Sequence, residues 1–208
     1  MLGPLIRVLV VGLVLLAAVS IMTVGFLRDE PPQLESATLL PERRSLPEFA
    51  LTTHHGEPLS RGDFQGHYSL VFFGFTNCPD VCPLTLQILA DVRAALQARS
   101  LEAPEVVFVS VDPARDDQAQ VARYIGYFDA AMTGVLGTEA AVKPLTDYFG
   151  VAVHIMKDKA GQEYNVTHSS AVFMISPDAE YVAVFSTPKS ADQVLRDYLT
   201  VRRSLARS

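Results

Sequence analysis

The first apolar run, VLVVGLVLLAAVSIMTVGFL from Val8 to Leu27, follows Arg7 and carries no charge. As a helix rising about 1.5 Å per residue it spans roughly 30 Å, one hydrocarbon core. A cleaved signal peptide with Ala18-Val19-Ser20 at its processing site is the alternative. Signal peptides usually carry shorter apolar regions, so the length favours a retained transmembrane anchor. The amino terminus and Arg7 precede the run, and Arg28 is followed at once by Asp29 and Glu30. The positive-inside rule then leaves residues 1–7 in the cytoplasm and everything after Leu27 outside. Without an Arg- and Ser-rich presequence, the expected address is a bacterial inner membrane, crossed once, with the C-terminal part in the periplasm. From Arg28 to Arg44 the chain reads RDEPPQLESATLLPERR, rich in proline and charge with no apolar period. That pattern predicts a tether.

The pattern changes after Ser45, and residues 45–208 are expected to form one domain. FALTT (Phe49–Thr53) and a return through Glu57-Pro58-Leu59 predict a small hairpin, with His54-His55-Gly56 in its turn. YSLVFFGF (Tyr68–Phe75) is a nearly continuous apolar run, as a strand covered on both faces requires. From Val81, apolar residues recur at Leu84, Ile88, Val92 and Ala95, one face of a helix lasting to about Arg99. Asp80 is placed to cap it, and Pro83 lies in its first turn. The pattern further predicts a strand over Glu105–Val111, helices over Asp116–Phe128 and Glu139–Phe149, and a strand over Val151–Met156. Strands over Ala171–Ser176 and Tyr181–Ser186, joined at Pro177-Asp178-Ala179-Glu180, form a hairpin, and a helix follows from Ala191 to about Leu205. Strand–helix–strand followed by hairpin–helix is an α/β, thioredoxin-like layout, a mixed central sheet with helices on both faces.

Composition narrows the partners. The formal charge is −6 and no Lys/Arg block occurs, which argues against nucleic acid. The chain has two cysteines, Cys78 and Cys82, both at the predicted strand-to-helix junction. Outside the cytoplasm a disulfide persists, but a bridge across so short a loop adds little stability. A helix N-terminus favours thiolate over thiol, which would make both sulfurs better nucleophiles and ligands. The parallel strands expected at Tyr68–Phe75 and Glu105–Val111 end at one edge of the sheet, bringing Cys78 and Asp112 together. An antiparallel strand from Ala171 starts at that edge, so Thr167-His168-Ser169-Ser170 arrives beside the cysteines. Two thiolates and an imidazole suit Cu(I) and, with a further ligand, Cu(II). Structural zinc usually takes four protein ligands, and neither Asp80 nor Asp112 is a secure fourth.

The remaining candidates have plainer readings. His54 and His55 read as solvated turn residues, and His67 as a surface residue at the start of a strand. His154 and Met156 share one face of a strand, where half-exposed packing outweighs a soft metal contact. Asp112 is a turn former before Pro113, or else a residue that supports the cysteine site or docks a partner. Asp80 caps its helix and adds negative charge near an incoming cation.

FFGFTNCPDVCPLTL, VFVSVDPARD and YNVTHSSAVFMISP, in that order, resemble the signature stretches of the Sco/SenC family. The resemblance runs from about Phe49 to the last helix. It implies a membrane-anchored, thioredoxin-like copper chaperone that delivers copper to the dinuclear centre of cytochrome c oxidase subunit II. It further implies one copper ion per domain, held by Cys78, Cys82 and His168, and a periplasmic donor protein as a further partner. The family commonly has His where this chain has Asn77, a position that is not a ligand. The alternative is a thiol–disulfide oxidoreductase, with Cys78 as nucleophile and Cys82 resolving, that reduces the oxidase subunit's cysteines before copper enters. Thioredoxin-type reductases carry two residues between their cysteines and a facing cis-proline. This chain has three residues there and no proline at Thr167-His168-Ser169.

Overall fold

The computed structural model describes residues 3–26, 33–157, 164–168, 170–186 and 190–207, with backbone alone at 5, 21–26, 154–157 and 164–168. Two units are distinguished, dividing between Gln33 and Leu34. The first is helix α1 (Pro4–Phe26), whose 23 residues carry one charge, Arg7. Its side chains are described from Ile6 to Ser20. Among the described residues no helix is long and apolar enough to cross a membrane.

The second unit opens with β1 (Ala37–Ser45), inside the segment expected to be a tether. Most of this strand is exposed, and it sits at the edge of the sheet beside the last strand. Edge strands tolerate charge and proline, so Pro41 and the Arg pair hid it from a pattern reading. The hairpin β2 (Ala50–Thr53) and β3 (Pro58–Ser60) forms as expected. Next come β4 (Ser69–Gly74), buried at every position, and α2 (Val81–Gln97). They are followed by β5 (Glu105–Ser110), α3 (Gln118–Gly126) and β6 (Thr133–Leu136). Helix α4 (Glu139–Phe149) keeps the expected limits although Pro144 lies within it. The ribbon β7 (Val153–Lys157) and β8 (Tyr164–His168) stands apart from the main sheet. The closing hairpin β9 (Val172–Ile175) and β10 (Glu180–Phe185) leads to α5 (Ala191–Leu205).

The eight-stranded sheet runs β1-β10-β9-β4-β5-β6-β2-β3. Strands β4, β5 and β6 are parallel, and β9 lies antiparallel against β4. Phe72 and Phe108 pair across β4 and β5, and the Phe108 ring lies 5.7 Å from that of Tyr124 on α3. Phe73, one residue on and therefore on the other face, packs 5.6 Å from Phe149 of α4. Helices thus cover both faces. Strand β6 had no signal of its own, being four residues long. Its Gly134 explains the close seat of α3: a Cβ there would stand 2.4 Å from Val121 Cγ1.

The chain preceding β1 is fastened by one buried carboxylate. Asp197 on α5 accepts hydrogen bonds from the backbone of Glu35 (3.1 Å), Ser36 (2.6 Å) and Ala37 (2.8 Å), and from Ser36 Oγ (2.8 Å). Burial opposes ionisation of Asp197, but these donors outweigh it and hold the carboxyl below its usual range. A depressed native value means stability that is present above the ordinary carboxylate range and lost as pH falls through the native one. Asp197→Ala should therefore cost on the order of 3 kcal/mol at neutral pH. In urea titrations the deficit should shrink below about pH 4. A pH-independent deficit would contradict the role of the charge.

Candidate functional site

The cysteines lie where β4 runs out. After Gly74 the chain turns, with Cys78 N donating to Phe75 O at 3.2 Å, and α2 begins at Val81. Cys82, in the first turn of α2, is 0% exposed, whereas Cys78 is 9% exposed. Neither is in a disulfide. Cys82 sits directly over the strand: a Cβ on Gly74 would stand 3.1 Å from its Sγ and 2.6 Å from Phe108 Cε2. Only glycine admits the sulfur this close to the sheet.

Burial pushes the Cys82 thiol well up, and its hydrogen bond with Cys78 adds to the effect. A hydrogen bond from the Phe75 backbone pulls the other way and does not prevail. The expectation that the helix N-terminus would favour thiolate at both sulfurs is therefore corrected at Cys82. Desolvation wins because that sulfur points into the core.

The loop before Cys78 is held by α3 and the turn that leads to it. Asp116, 5% exposed, accepts from Thr76 Oγ1 (2.6 Å), Thr76 N (3.2 Å) and Ser110 Oγ (2.6 Å). Burial raises its pKa against those same hydrogen bonds, and Asp112 raises it further. Gln120 Nε2 donates to Thr76 Oγ1 at 2.6 Å and to Asn77 Oδ1 at 3.2 Å. Neither Asp116 nor Gln120 was singled out from sequence. Their spacing of four residues, at the start of a helix that follows a strand, was the available signal.

The other candidates fall differently. Asp112 is 0% exposed and pairs with Arg115 Nε, so burial removes it from any docking surface. Asp80 holds the N-cap position of α2 but makes no side-chain cap hydrogen bond, its backbone being at φ −140° and ψ −74°. It is exposed. His54 is more than a solvated turn residue: its Nδ1 accepts from Gly134 N at 3.1 Å and joins the hairpin to β6. Burial, then His55, lowers its pKa. His67 Nε2 stands 2.8 Å from Glu105 Oε2.

His168 ends β8, its backbone opposite Val153. Since Val172 pairs with Phe72, the chain passes from His168 into β9 at the edge where β4 ends. The side chains of His168, His154 and Met156 lie outside the described residues. Among the described residues no group of three or more His, Cys, Asp or Glu is placed to hold a metal. The two cysteines are brought together.

Residues 37–202 match the family model described as SCO1/SenC. The mouse protein named SCO2 homolog, mitochondrial (Mus musculus), is 34% identical over 160 residues, covering 76% of this chain and 62% of that relative. The match thus spans less than two thirds of that relative's own length. The solution structure of apo Sco1 from Thermus thermophilus is 33% identical, with a TM-score of 0.72, covering 81% of this chain and 97% of that one. Arabidopsis thaliana ScoI with copper bound is 26% identical, with a TM-score of 0.71, covering 76% and 98%.

The burial difference sets an order of reactivity. Iodoacetamide at pH 8 should label Cys78 roughly tenfold or more faster than Cys82, because the buried thiol yields little thiolate. Peptide mapping of partly labelled protein reads this directly. Equal rates would contradict the buried position of Cys82.

Proposed function

The chain belongs to the SCO1/SenC family, and from that footing we propose that it is a copper-binding metallochaperone of cytochrome c oxidase assembly. Copper is the cargo. Cys78, Cys82 and His168 are its ligands, and the dinuclear copper centre of oxidase subunit II is its destination. The observation that carries this reading is the reduced pair Cys78 and Cys82, two soft donors held together at the sheet edge. The related Arabidopsis protein with copper bound supports the choice of metal. α1, with the uncharged run Val8–Leu27, would anchor the domain in the bacterial inner membrane and keep it near a membrane-bound client.

The chain's own contribution is to hold two sulfurs ready while keeping water from the inner one. Copper binding must displace the Cys82 proton, which burial holds on the sulfur. Loading therefore releases protons and strengthens as pH rises. Transfer to the client then proceeds by exchange of one thiolate or imidazole ligand at a time. The more exposed Cys78 is the first sulfur a client can reach.

A second reading, the thiol–disulfide oxidoreductase, is favoured by one observation: Cys78 is the more exposed sulfur and Cys82 the sheltered one. An attacking and a resolving cysteine require that asymmetry. His168 separates the readings, since thiol exchange does not need it. His168→Ala should retain part of the Cu(I) affinity, because two thiolates suffice for linear Cu(I). It should lose nearly all Cu(II), which prefers nitrogen and a tetragonal set. Oxidase maturation at low copper should fail while Cys78 stays reactive. Normal Cu(II) loading and a mature oxidase would put the oxidoreductase reading first.

A further inference from the structure

The hydroxyl of Thr76, two residues before Cys78, is used in both directions. It donates to Asp116 Oδ1 at 2.6 Å and accepts from Gln120 Nε2 at 2.6 Å. The Thr76 backbone N–H donates to the same carboxylate at 3.2 Å. Gln120 Nε2 also reaches Asn77 Oδ1 at 3.2 Å, so both residues leading into Cys78 are tied to one side chain of α3. The holders are themselves held. Asp116 accepts from Ser110 Oγ at 2.6 Å, and the backbone N–H of Gln120 donates to Asp117, the N-cap of α3, at 2.7 Å. Bonds to a buried carboxylate are short and strong, so the loop that carries the outer sulfur has little freedom. The inner sulfur has little either, because Cys82 Sγ is seated over Gly74, where a Cβ would stand 3.1 Å from it.

The two sulfurs share a hydrogen bond and no disulfide. Such a contact leaves them well beyond the roughly 2 Å of a sulfur–sulfur bond. It suits two donors to one shared ion, which must not be bonded to each other. Closing the bond would draw Cys78 inward, since Cys82 has the sheet behind it, and would carry Thr76 and Asn77 off Asp116 and Gln120. We propose that Asp116 and Gln120 are positioning residues that act through Thr76 to hold Cys78 short of disulfide closure, keeping the pair available to a soft ion. The purpose rests on the copper reading of the site, whereas the redox effect does not. The reaction opposed is exchange with a small disulfide such as oxidised glutathione. Cys78 bonds to one glutathione sulfur as the glutathione disulfide breaks, and Cys82 then bonds to Cys78 Sγ and releases the second glutathione. Two cysteine thiols are oxidised, one disulfide is reduced, and the two thiol protons end on the released glutathiones.

The equilibrium between the thiol and disulfide forms, measured in glutathione buffers on the purified full-length chain, reads this restraint directly. Gln120→Ala removes the donor to Thr76 and Asn77 and should shift the constant toward the disulfide by about fivefold. Thr76→Val keeps the shape but loses the bond to the carboxylate as well, and should shift it by about tenfold or more. Thr76→Ser retains the hydroxyl and should keep the wild-type constant. In the first two variants the thermal midpoint should fall more for the reduced form than for the disulfide form, since only the reduced form has the contact to lose. Should Thr76→Val fail to fold, Gln120→Ala, at a half-buried position, carries the test. An unchanged constant, with both midpoints lowered alike, would make the contacts a matter of stability alone and overturn the proposal. A shift toward the thiols would overturn it by showing that the contacts assist closure. Copper stoichiometry of the wild-type chain is read separately. A chain that binds copper without the shift loses this proposal and keeps the metal, and one that shows the shift without binding copper keeps the restraint and loses the copper reading.

Discussion

The Asp116 carboxylate, buried under the cysteine loop, joins two segments that would otherwise share only a sheet edge. Through Ser110 Oγ it is fixed to the end of β5, and through the amide and hydroxyl of Thr76 it is fixed to the loop that carries Cys78. Parallel strands make this arrangement available, because β4 and β5 run in register and deliver their following loops to one side. Gln120 completes the clamp from α3. The neighbouring Asp112–Arg115 pair braces the same turn, with Arg115 over the Phe75 ring at 5.6 Å. The position of Cys78 is thus set by polar contacts, whereas that of Cys82 is set by steric fit over Gly74.

Two opposing effects act on the sulfurs. The positive end of α2 favours a thiolate at its first turn, and burial disfavours any charge there. At Cys82 burial wins. The result is a metal-free site whose inner sulfur is held as a thiol and gives up its proton only to a strongly binding cation. Such a site discriminates by softness, since a hard cation gains too little from sulfur to offset the proton it must displace.

Much of the fold was legible because its core elements obey simple periods. The run at Tyr68–Phe75 became the fully buried β4, and Glu139–Phe149 became α4 with the same limits. What escaped notice lay at edges. β1 is an exposed edge strand with a proline, and β6 has four residues, so neither carries an apolar period. At the site, the pairing of Cys78 with Cys82 was legible from spacing. The Asp116 clamp was not, because it depends on a hydrogen-bonding partner forty residues away at Thr76. The capping role expected of Asp80 failed for a local reason, a backbone conformation that turns the residue out of cap geometry.

The central claim is that Cys78 and Cys82 together hold copper as thiolates. It is tested most directly by copper stoichiometry of the purified protein before and after diamide oxidation. A disulfide has no thiolate to offer, so the account predicts one copper ion per chain in the reduced protein and none after oxidation. Stoichiometric copper retained by the oxidised protein would contradict it.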